Sequence, residues 1–138
     1  MRVIIRQKNI VITEPLRRYI EMKLVQPIRK LLRRETAGVL PLLEIECARS
    51  GRHHRKGKVY HFEANLSLDG KLLRAEVDEE DARVACDLLE EELEREILAY
   101  KSRLRALEKR GARRLKKDMR LDPAARFYRK GRMREEGD

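Results

Sequence analysis

Apolar residues alternate with polar ones near the N-terminus and then take up helical spacing. The alternation around Val3 and Ile5 predicts a strand over Arg2–Gln7. Thr13 can cap the helix that follows, and Pro15 falls in its first turn, where a missing N–H does no harm. The spacing predicts that this helix places the following residues along one face: Leu16, Tyr19, Ile20, Leu24, Ile28 and Leu31.

Pro27 lies inside this helical pattern. A proline has no backbone N–H, and its ring clashes with the carbonyl group four residues earlier. We therefore predict that the regular helix kinks or ends near Gln26, and that residues 28–34 form a second short helical turn.

Three further strands follow, each with apolar residues at every second position. Asp69-Gly70, between the last two of them, is a strong signal for a two-residue hairpin. A basic loop framed by glycines, Gly51–Lys58, joins the first two of them. The alternating apolar positions are Leu43, Ile45 and Cys47, then Tyr60, Phe62, Ala64, Leu66 and Leu68, then Leu73, Ala75 and Val77.

A long amphipathic helix is predicted from Glu79 to about Arg110. Asp78 or Asp81 can cap its start, and Gly111 is a natural residue to end it. Steps of three and four residues predict one apolar face. That face consists of Ala82, Ala85, Cys86, Leu89, Leu93, Ile97, Tyr100, Leu104 and Leu107.

The predicted order is therefore β-α-β-β-β-α, which indicates an α+β fold. A strand–helix–strand opening predicts a parallel pair with a right-handed crossover, and the later connections suit antiparallel hairpins. Both helices should cover one face of a four-stranded sheet and leave the other face open. We expect a domain over residues 1–111 and a basic, mobile tail over residues 112–138, without a membrane span.

The net charge of +10 is unevenly distributed along the chain. Residues 1–75 contain 17 Lys/Arg against 7 Asp/Glu, residues 76–101 contain 3 against 11, and residues 102–138 contain 14 against 6. Two basic regions therefore flank an acidic segment. The polyanion that best suits such basic surfaces is nucleic acid, and the alternative is a generally basic soluble surface.

No group of residues predicts catalysis, a metal site or a cofactor site. Cys47 and Cys86 lack metal-ligand spacing and are interpreted as small core residues. His53 and His54 lie in the basic loop, where they either contact phosphates or are simply solvated. The carboxylates of the long helix are interpreted as a solvated face, so we expect a protein that is not an enzyme.

Basic side chains gather in the second half of the long helix and beyond it. They form either a solvated basic face or a row of phosphate contacts, since side chains three to four residues apart repeat every 5–6 Å. In the tail, Phe127 and Tyr128 stand among basic residues, a pattern that suits irregular or single-stranded RNA. The basic residues are Arg95, Lys101, Arg103, Arg105, Lys109 and Arg110 in the helix and Arg113, Arg114, Lys116, Lys117 and Arg120 in the tail.

Three stretches of the chain together resemble a known family. Ile5–Leu24 resembles the opening of the ribosome hibernation-promoting factors, also called ribosome-associated inhibitors or the sigma-54 modulation/ribosomal subunit interface family. Leu68–Glu76 followed by Glu80-Asp81 resembles their last hairpin, and Asp87–Ile97 with Tyr100-Lys101 resembles their long helix. The resemblance covers about residues 2–107 and is specific because the three blocks occur in the right order and spacing.

The resemblance implies a fold like that of double-stranded-RNA-binding domains and binding to the small ribosomal subunit and its rRNA. A short-form member of this kind would compete with tRNA and mRNA in the decoding region. We expect a monomer, and a cytoplasmic one because the sequence shows neither a membrane span nor the apolar region of a signal peptide. Family members contact rRNA through basic side chains at positions that correspond here to Arg17, Lys23, Arg95 and Lys101, with Arg6 or Lys8 near the first strand.

The chain departs from the family pattern at several positions. Gln26, Glu92 and Ala99 stand where members often have Lys or Arg, which weakens the expected basic face. We hypothesise that extra charge on Arg18, Arg103 and Arg105, with weaker contributions from Arg113, Arg114, Lys116 and Lys117, compensates for these departures.

Two other classes of function stay open at this point. One is a general RNA-binding module or an rRNA assembly factor, and the other is a protein-interaction adaptor that uses the acidic segment. An RNA binder should lose affinity steeply with salt, whereas an adaptor should not.

Overall fold

A computed structural model describes residues 1–33, 38–50 and 59–121. Its elements follow the predicted α+β order, with the first helical segment divided into parts. The strands are β1 (Arg2–Lys8), β2 (Leu42–Arg49), β3 (Tyr60–Leu68) and β4 (Lys71–Glu79). The helices are α1 (Glu14–Ile20), a π-helical turn (Glu21–Val25), α2 (Gln26–Leu31) and α3 (Ala82–Leu121).

The four strands form one sheet in the order β1-β2-β3-β4. The β1 and β2 strands are parallel, as predicted, and Ile5 is in register with Ile45. The other two pairs are antiparallel. The hairpin between β3 and β4 turns at Asp69 (φ 46°) and Gly70 (φ 78°), and this pair of positive φ angles is the type I′ geometry that an Asp-Gly sequence favours.

The core lies between one face of the sheet and the helices. Alternate residues of β2, β3 and β4 are buried, and Phe62 is fully inaccessible to solvent. Truncating a buried phenylalanine to alanine costs about 3–5 kcal/mol of stability, so Phe62, the largest fully buried side chain among the described residues, is a main contributor to this core. The helical residues that complete it are Ile20, Leu24, Val25, Ile28, Leu32, Ala85, Cys86, Leu89, Leu93 and Ile97.

The other face of the sheet is polar and not covered by the helices. Three glutamates lie side by side across it, because Glu46 pairs with Glu63 and Glu63 pairs with Glu76. Like charges directly opposite each other on a sheet are unfavourable. Arg74 relieves part of this repulsion, since its Nη2 lies 3.1 Å from Glu63 and 3.3 Å from Glu76.

The interruption predicted at Pro27 takes the form of a π-helical turn. The regular helix ends at Ile20, and the N–H of Gln26 donates to the carbonyl of Glu21, five residues earlier. Pro27 then falls in the first turn of α2, where its missing N–H is tolerated. The extra residue in the turn also brings Val25 and Leu32 into the core, which the uniform helical spacing did not predict.

The long helix begins three residues later than predicted, at Ala82, because Glu79 belongs to β4, and it also ends later. Asp81 caps its start, since Asp81 Oδ1 accepts the N–H of Arg83 at 2.8 Å. The prediction that Gly111 ends the helix is wrong, because α3 continues to Leu121. Gly111 has no positive φ angle and no atom near its missing Cβ, so it is an ordinary helical residue. Helix-forming Arg, Lys, Leu and Met residues after Gly111 extend the helix despite the fading apolar pattern.

The chain divides into two compact units, residues Met1–Ala99 and residues Tyr100–Asp138. The predicted boundary at residue 111 and the predicted mobile tail stay predictions, and residues 122–138 with Phe127 and Tyr128 lie outside the described residues. Among the residues that are described, no helix is long and apolar enough to span a membrane.

Candidate nucleic-acid interface

The predicted basic residues of β1 lie on the polar face of the sheet. Arg6 and Lys8 share the side of their paired residues Glu46 and Ala48, away from the helices. The Nη2 of Arg6 lies 3.8 Å from Glu44 Oε2, so part of its charge is offset within the sheet. Within the first unit, these two side chains therefore do not share a surface with the predicted helical site residues Arg17, Arg18 and Lys23.

The segment α1–α2 is the basic surface of the first unit. Residues 14–33 contain six Lys/Arg against two Glu. Arg17, Arg18 and Lys23, all predicted site residues, are exposed there. Arg18 pairs with Glu14 at 3.8 Å, but an exposed pair of this kind is weak and leaves the guanidinium accessible.

The first half of α3 is acidic, and the positive charge of Arg95, the rRNA contact predicted there, is partly neutralised. Arg95 Nη1 lies 2.7 Å from Glu92 Oε1, one turn earlier on the helix. Glu92 is one of the departures from the family pattern, and the structure shows that it acts directly on Arg95. Glu90 adds to the acidic character, although burial, a hydrogen bond with Glu94 and neighbouring carboxylates raise the pKa of Glu90 to about 7.

The part of α3 in the second unit is strongly basic. Residues 100–121 contain ten Lys/Arg against two acidic residues. Tyr100 is buried, at 8% exposure, in agreement with its predicted packing role. The predicted site residues Arg103, Arg105, Arg113, Arg114, Lys116 and Lys117 are all exposed, and Lys101 is half-buried.

A cluster at the start of α3 joins this helix to α1. The hydroxyl of Tyr19 donates to Asp87, with oxygen–oxygen distances of 2.8 and 3.0 Å, and Arg83 lies over the Tyr19 ring at 5.3 Å. The sequence pattern placed Tyr19 on the apolar face of the first helix and predicted no contact for Arg83. The spacing of Arg83 and Asp87, four residues apart on one helix face, is the signal that was available.

His61 is the one histidine among the residues that the structure describes, and it lies among carboxylates on the polar face of the sheet. Its Nδ1 is 2.8 Å from Asp78 Oδ1, and its Nε2 is 3.8 Å from Glu76 Oε2 and 3.9 Å from Glu63 Oε2. His61, Glu63 and Glu76 have the donor atoms and proximity for a metal ion, a grouping that linear spacing did not reveal. Arg74 already supplies a positive charge to both glutamates, so these residues do not require a metal. His53, His54 and the rest of the basic loop lie outside the described residues.

The two cysteines are free and buried, as predicted. Burial raises the pKa of the Cys47 and Cys86 thiols to about 12, so both remain protonated at neutral pH. A protonated, buried thiol is neither a good nucleophile nor a metal ligand, which leaves them a packing role.

Comparison with known proteins identifies the family to which this fold belongs. The family described as Sigma 54 modulation protein / S30EA ribosomal protein matches residues 3–105. The chain therefore belongs to that family, as its resemblance to the hibernation-promoting factors predicted. No curated protein matches the chain.

Two solved structures share the fold over nearly their whole length. A ribosomal subunit interface protein from Coxiella burnetii is 25% identical, with a TM-score of 0.57, over 74% of this chain and 99% of that one. The N-terminal domain of Thermus thermophilus Protein Y is 24% identical, with a TM-score of 0.55, over 72% of this chain and 99% of that one. The predicted α+β fold is thus confirmed.

Proposed function

We propose that the chain binds the small ribosomal subunit at the decoding region and keeps tRNA and mRNA from that site. Membership of the Sigma 54 modulation protein / S30EA ribosomal protein family carries this proposal. The similarity to a ribosomal subunit interface protein supports it. The action is steric occlusion by a cytoplasmic monomer, and it requires no catalysis, metal or cofactor.

The basic surface of α1–α2 and the second part of α3 supply the contacts to rRNA in this proposal. Arg17, Arg18 and Lys23 are exposed in one unit, and Lys101, Arg103 and Arg105 belong to the other. Each phosphate that a Lys or Arg neutralises releases condensed counterions, so affinity falls with salt. The acidic first half of α3 repels phosphate and limits indiscriminate RNA binding.

Arg6 and Lys8 contribute to the same interface only if RNA surrounds the domain. They lie on the sheet face opposite the helices, so a flat RNA surface against α1 does not reach them. An enclosed cleft of rRNA would contact both faces. The two pairs Arg6/Lys8 and Arg17/Lys23 therefore distinguish a one-sided from an enclosing site.

Co-sedimentation with small subunits, large subunits and whole ribosomes tests the proposal. We expect wild-type protein to bind small subunits, to be displaced by initiator tRNA, and to lose affinity steeply between 50 and 200 mM salt, on the order of 10³-fold if six or more phosphates are engaged. Charge reversal by Arg17→Glu/Lys23→Glu, and separately by Arg95→Glu/Lys101→Glu, should weaken binding. The matched pair Arg6→Glu/Lys8→Glu should weaken it only if the site encloses the domain.

The outcomes separate the proposal from its alternatives. Binding that tRNA does not affect would favour an assembly role elsewhere on the subunit. Binding without salt dependence would favour a protein adaptor that uses the acidic half of α3. No binding at either salt concentration would overturn the proposal.

A further inference from the structure

A concave pocket opens at one end of the sheet, where β1 and β2 end and β3 begins. It has a volume of about 740 Å³ and lies wholly within the first unit. This size is within the range of roughly 300–1,000 Å³ that ligand pockets occupy. The lining residues that matter here are Gln7, Asn9, Thr13, Arg49, Tyr60 and Ala82.

Tyr60 gives the pocket an aromatic wall. Its ring packs edge-on against Phe62, with centroids 6.4 Å apart and an interplanar angle of 84°. Phe62 is fully buried whereas Tyr60 is half-buried, so the core fixes one edge of the Tyr60 ring while part of the ring stays open. A fixed, accessible ring of this kind is a platform on which a nucleobase can stack.

Arg49 places a positive charge at the same platform. Its guanidinium carbon lies over the Tyr60 ring, 6.0 Å from the centroid, and the residue is exposed. A base stacked on the opposite face of the ring would have this cation close by for its backbone phosphate. Aromatic stacking next to an arginine is the arrangement by which proteins hold single-stranded nucleic acid.

Amide side chains line the wall contributed by β1 and the following turn. Gln7 Oε1 accepts the N–H of Ile12 at 3.2 Å, which fixes this side chain, and its amide nitrogen has no hydrogen-bond partner among the described residues. Asn9 adds a second amide. Such groups donate to and accept from base edges, so the pocket offers hydrogen bonds as well as stacking.

The charge around the pocket fixes how a nucleotide would enter. An adjoining hollow, which shares Thr13, Tyr60 and Ala82, is lined by Glu80, Asp81 and Arg83. Two carboxylates against one guanidinium leave this hollow net negative, and Arg83 already lies over the Tyr19 ring. A strand would therefore keep its backbone near Arg49 and direct only the uncharged base inward.

We propose that this pocket binds one unstacked base of single-stranded RNA, with the base on Tyr60 and its phosphate near Arg49. The inference deepens the proposed function, on which it rests, by naming an unpaired nucleotide as the ligand of this site. Base-paired RNA does not fit, because its bases are stacked within a helix and only their edges are accessible.

The test compares single-stranded RNA octamers with octamers that carry one central abasic position, at constant salt and length. The phosphate contribution is the same for both and cancels. We expect wild-type protein to bind the intact octamer roughly 5- to 150-fold more tightly than the abasic one, the range for stacking one base on an aromatic side chain. Tyr60→Phe keeps the ring and should keep the ratio, whereas Tyr60→Leu should bring it close to one.

A second measurement reports on the stacked base itself. An octamer with 2-aminopurine at the central position should lose fluorescence on binding to wild-type protein and to Tyr60→Phe, and lose less on binding to Tyr60→Leu. Circular dichroism shows whether each variant keeps the fold. Phe127 and Tyr128 are unchanged in all variants, so stacking on them cannot produce a difference between variants.

Equal affinity for the intact and abasic octamers, including no measurable binding of either, would overturn the base pocket. An unchanged ratio in a folded Tyr60→Leu variant would overturn it as well. Neither result bears on co-sedimentation with small subunits, so this inference and the proposed function can fail separately.

Discussion

The hydroxyl of Tyr19 on α1 hydrogen-bonds to both carboxylate oxygens of Asp87 on α3, 68 residues later in the chain. This contact joins the two helices that cover the sheet. The hydrogen bond to Asp87 raises the pKa of Tyr19 above its usual value of 10.0, because ionisation would place two negative charges side by side.

Replacing Tyr19 by phenylalanine should lower the thermal stability at neutral pH. The contribution of Tyr19 is present below the unfolded pKa of about 10 and is lost as the pH rises through the raised folded pKa. The difference in Tm between wild type and Tyr19→Phe should therefore shrink at alkaline pH. Tyr60→Phe is the control, since the Tyr60 hydroxyl makes no hydrogen bond with the described residues, and a Tm difference as large there would contradict the assignment.

Replacing Glu90 by glutamine should stabilise the protein at neutral pH but not at pH 4. Because the pKa of Glu90 is raised to about 7, stability is lost as the pH rises from the unfolded pKa of 4.5 through 7. The side chain is partly exposed, so we expect the modest effect of a like-charge pair four residues apart, about 0.2–0.5 kcal/mol. Urea unfolding at both pH values measures the difference in the free energy of unfolding between the variant and the wild type. An equal increase in stability at pH 4 would point to a cause other than ionisation of Glu90.

Cys47 and Cys86 should resist thiol reagents in the folded protein. Both are buried, and burial raises the pKa of both thiols to about 12, so little thiolate forms at pH 8. A thiol-reactive chromophore should report almost no reaction in buffer and two thiols per chain in denaturant. Rapid modification without denaturant would mean that the interface between β2 and α3 opens readily.

Replacing Gly111 by alanine should increase the helicity of α3. Gly111 is a helical residue with no atom within 4 Å of an added Cβ, and alanine in a helix interior is favoured by about 1 kcal/mol. The reciprocal variant Ala112→Gly should reduce helicity, measured for both by circular dichroism at 222 nm. If the helix instead ended at Gly111 in a left-handed conformation, Gly111→Ala would lower the helicity.

The sequence predicted those parts of the fold that local pattern determines. Alternation defined the buried residues of β2 and β3, and Asp69-Gly70 defined the hairpin turn. The sequence pattern did not predict the π-helical turn. A kink, a helix end or one inserted residue can each relieve the steric clash of Pro27. The inserted residue is the solution that buries Val25 and Leu32 in the core. Nor did the pattern place the end of α3, because a glycine ends a helix only when the chain turns there.

The candidate site depended on contacts between residues distant in the chain, which spacing does not show. The basic residues themselves were evident from composition. That Arg6 and Lys8 lie on the opposite side of the sheet from the helices follows from the parallel register of β1 with β2. The proximity of Arg49 and Tyr60 follows from their pairing at the ends of β2 and β3.

The three glutamates in a row on the open sheet face form a local patch of negative charge. Glu46, Glu63 and Glu76 are paired across three strands, and Arg74, which lies near two of them, leaves the row net negative. Such a patch repels a polyanion before any contact forms, so encounters in which this part of the sheet leads are disfavoured. The row would therefore act on the rate of association rather than on the contacts of the bound state.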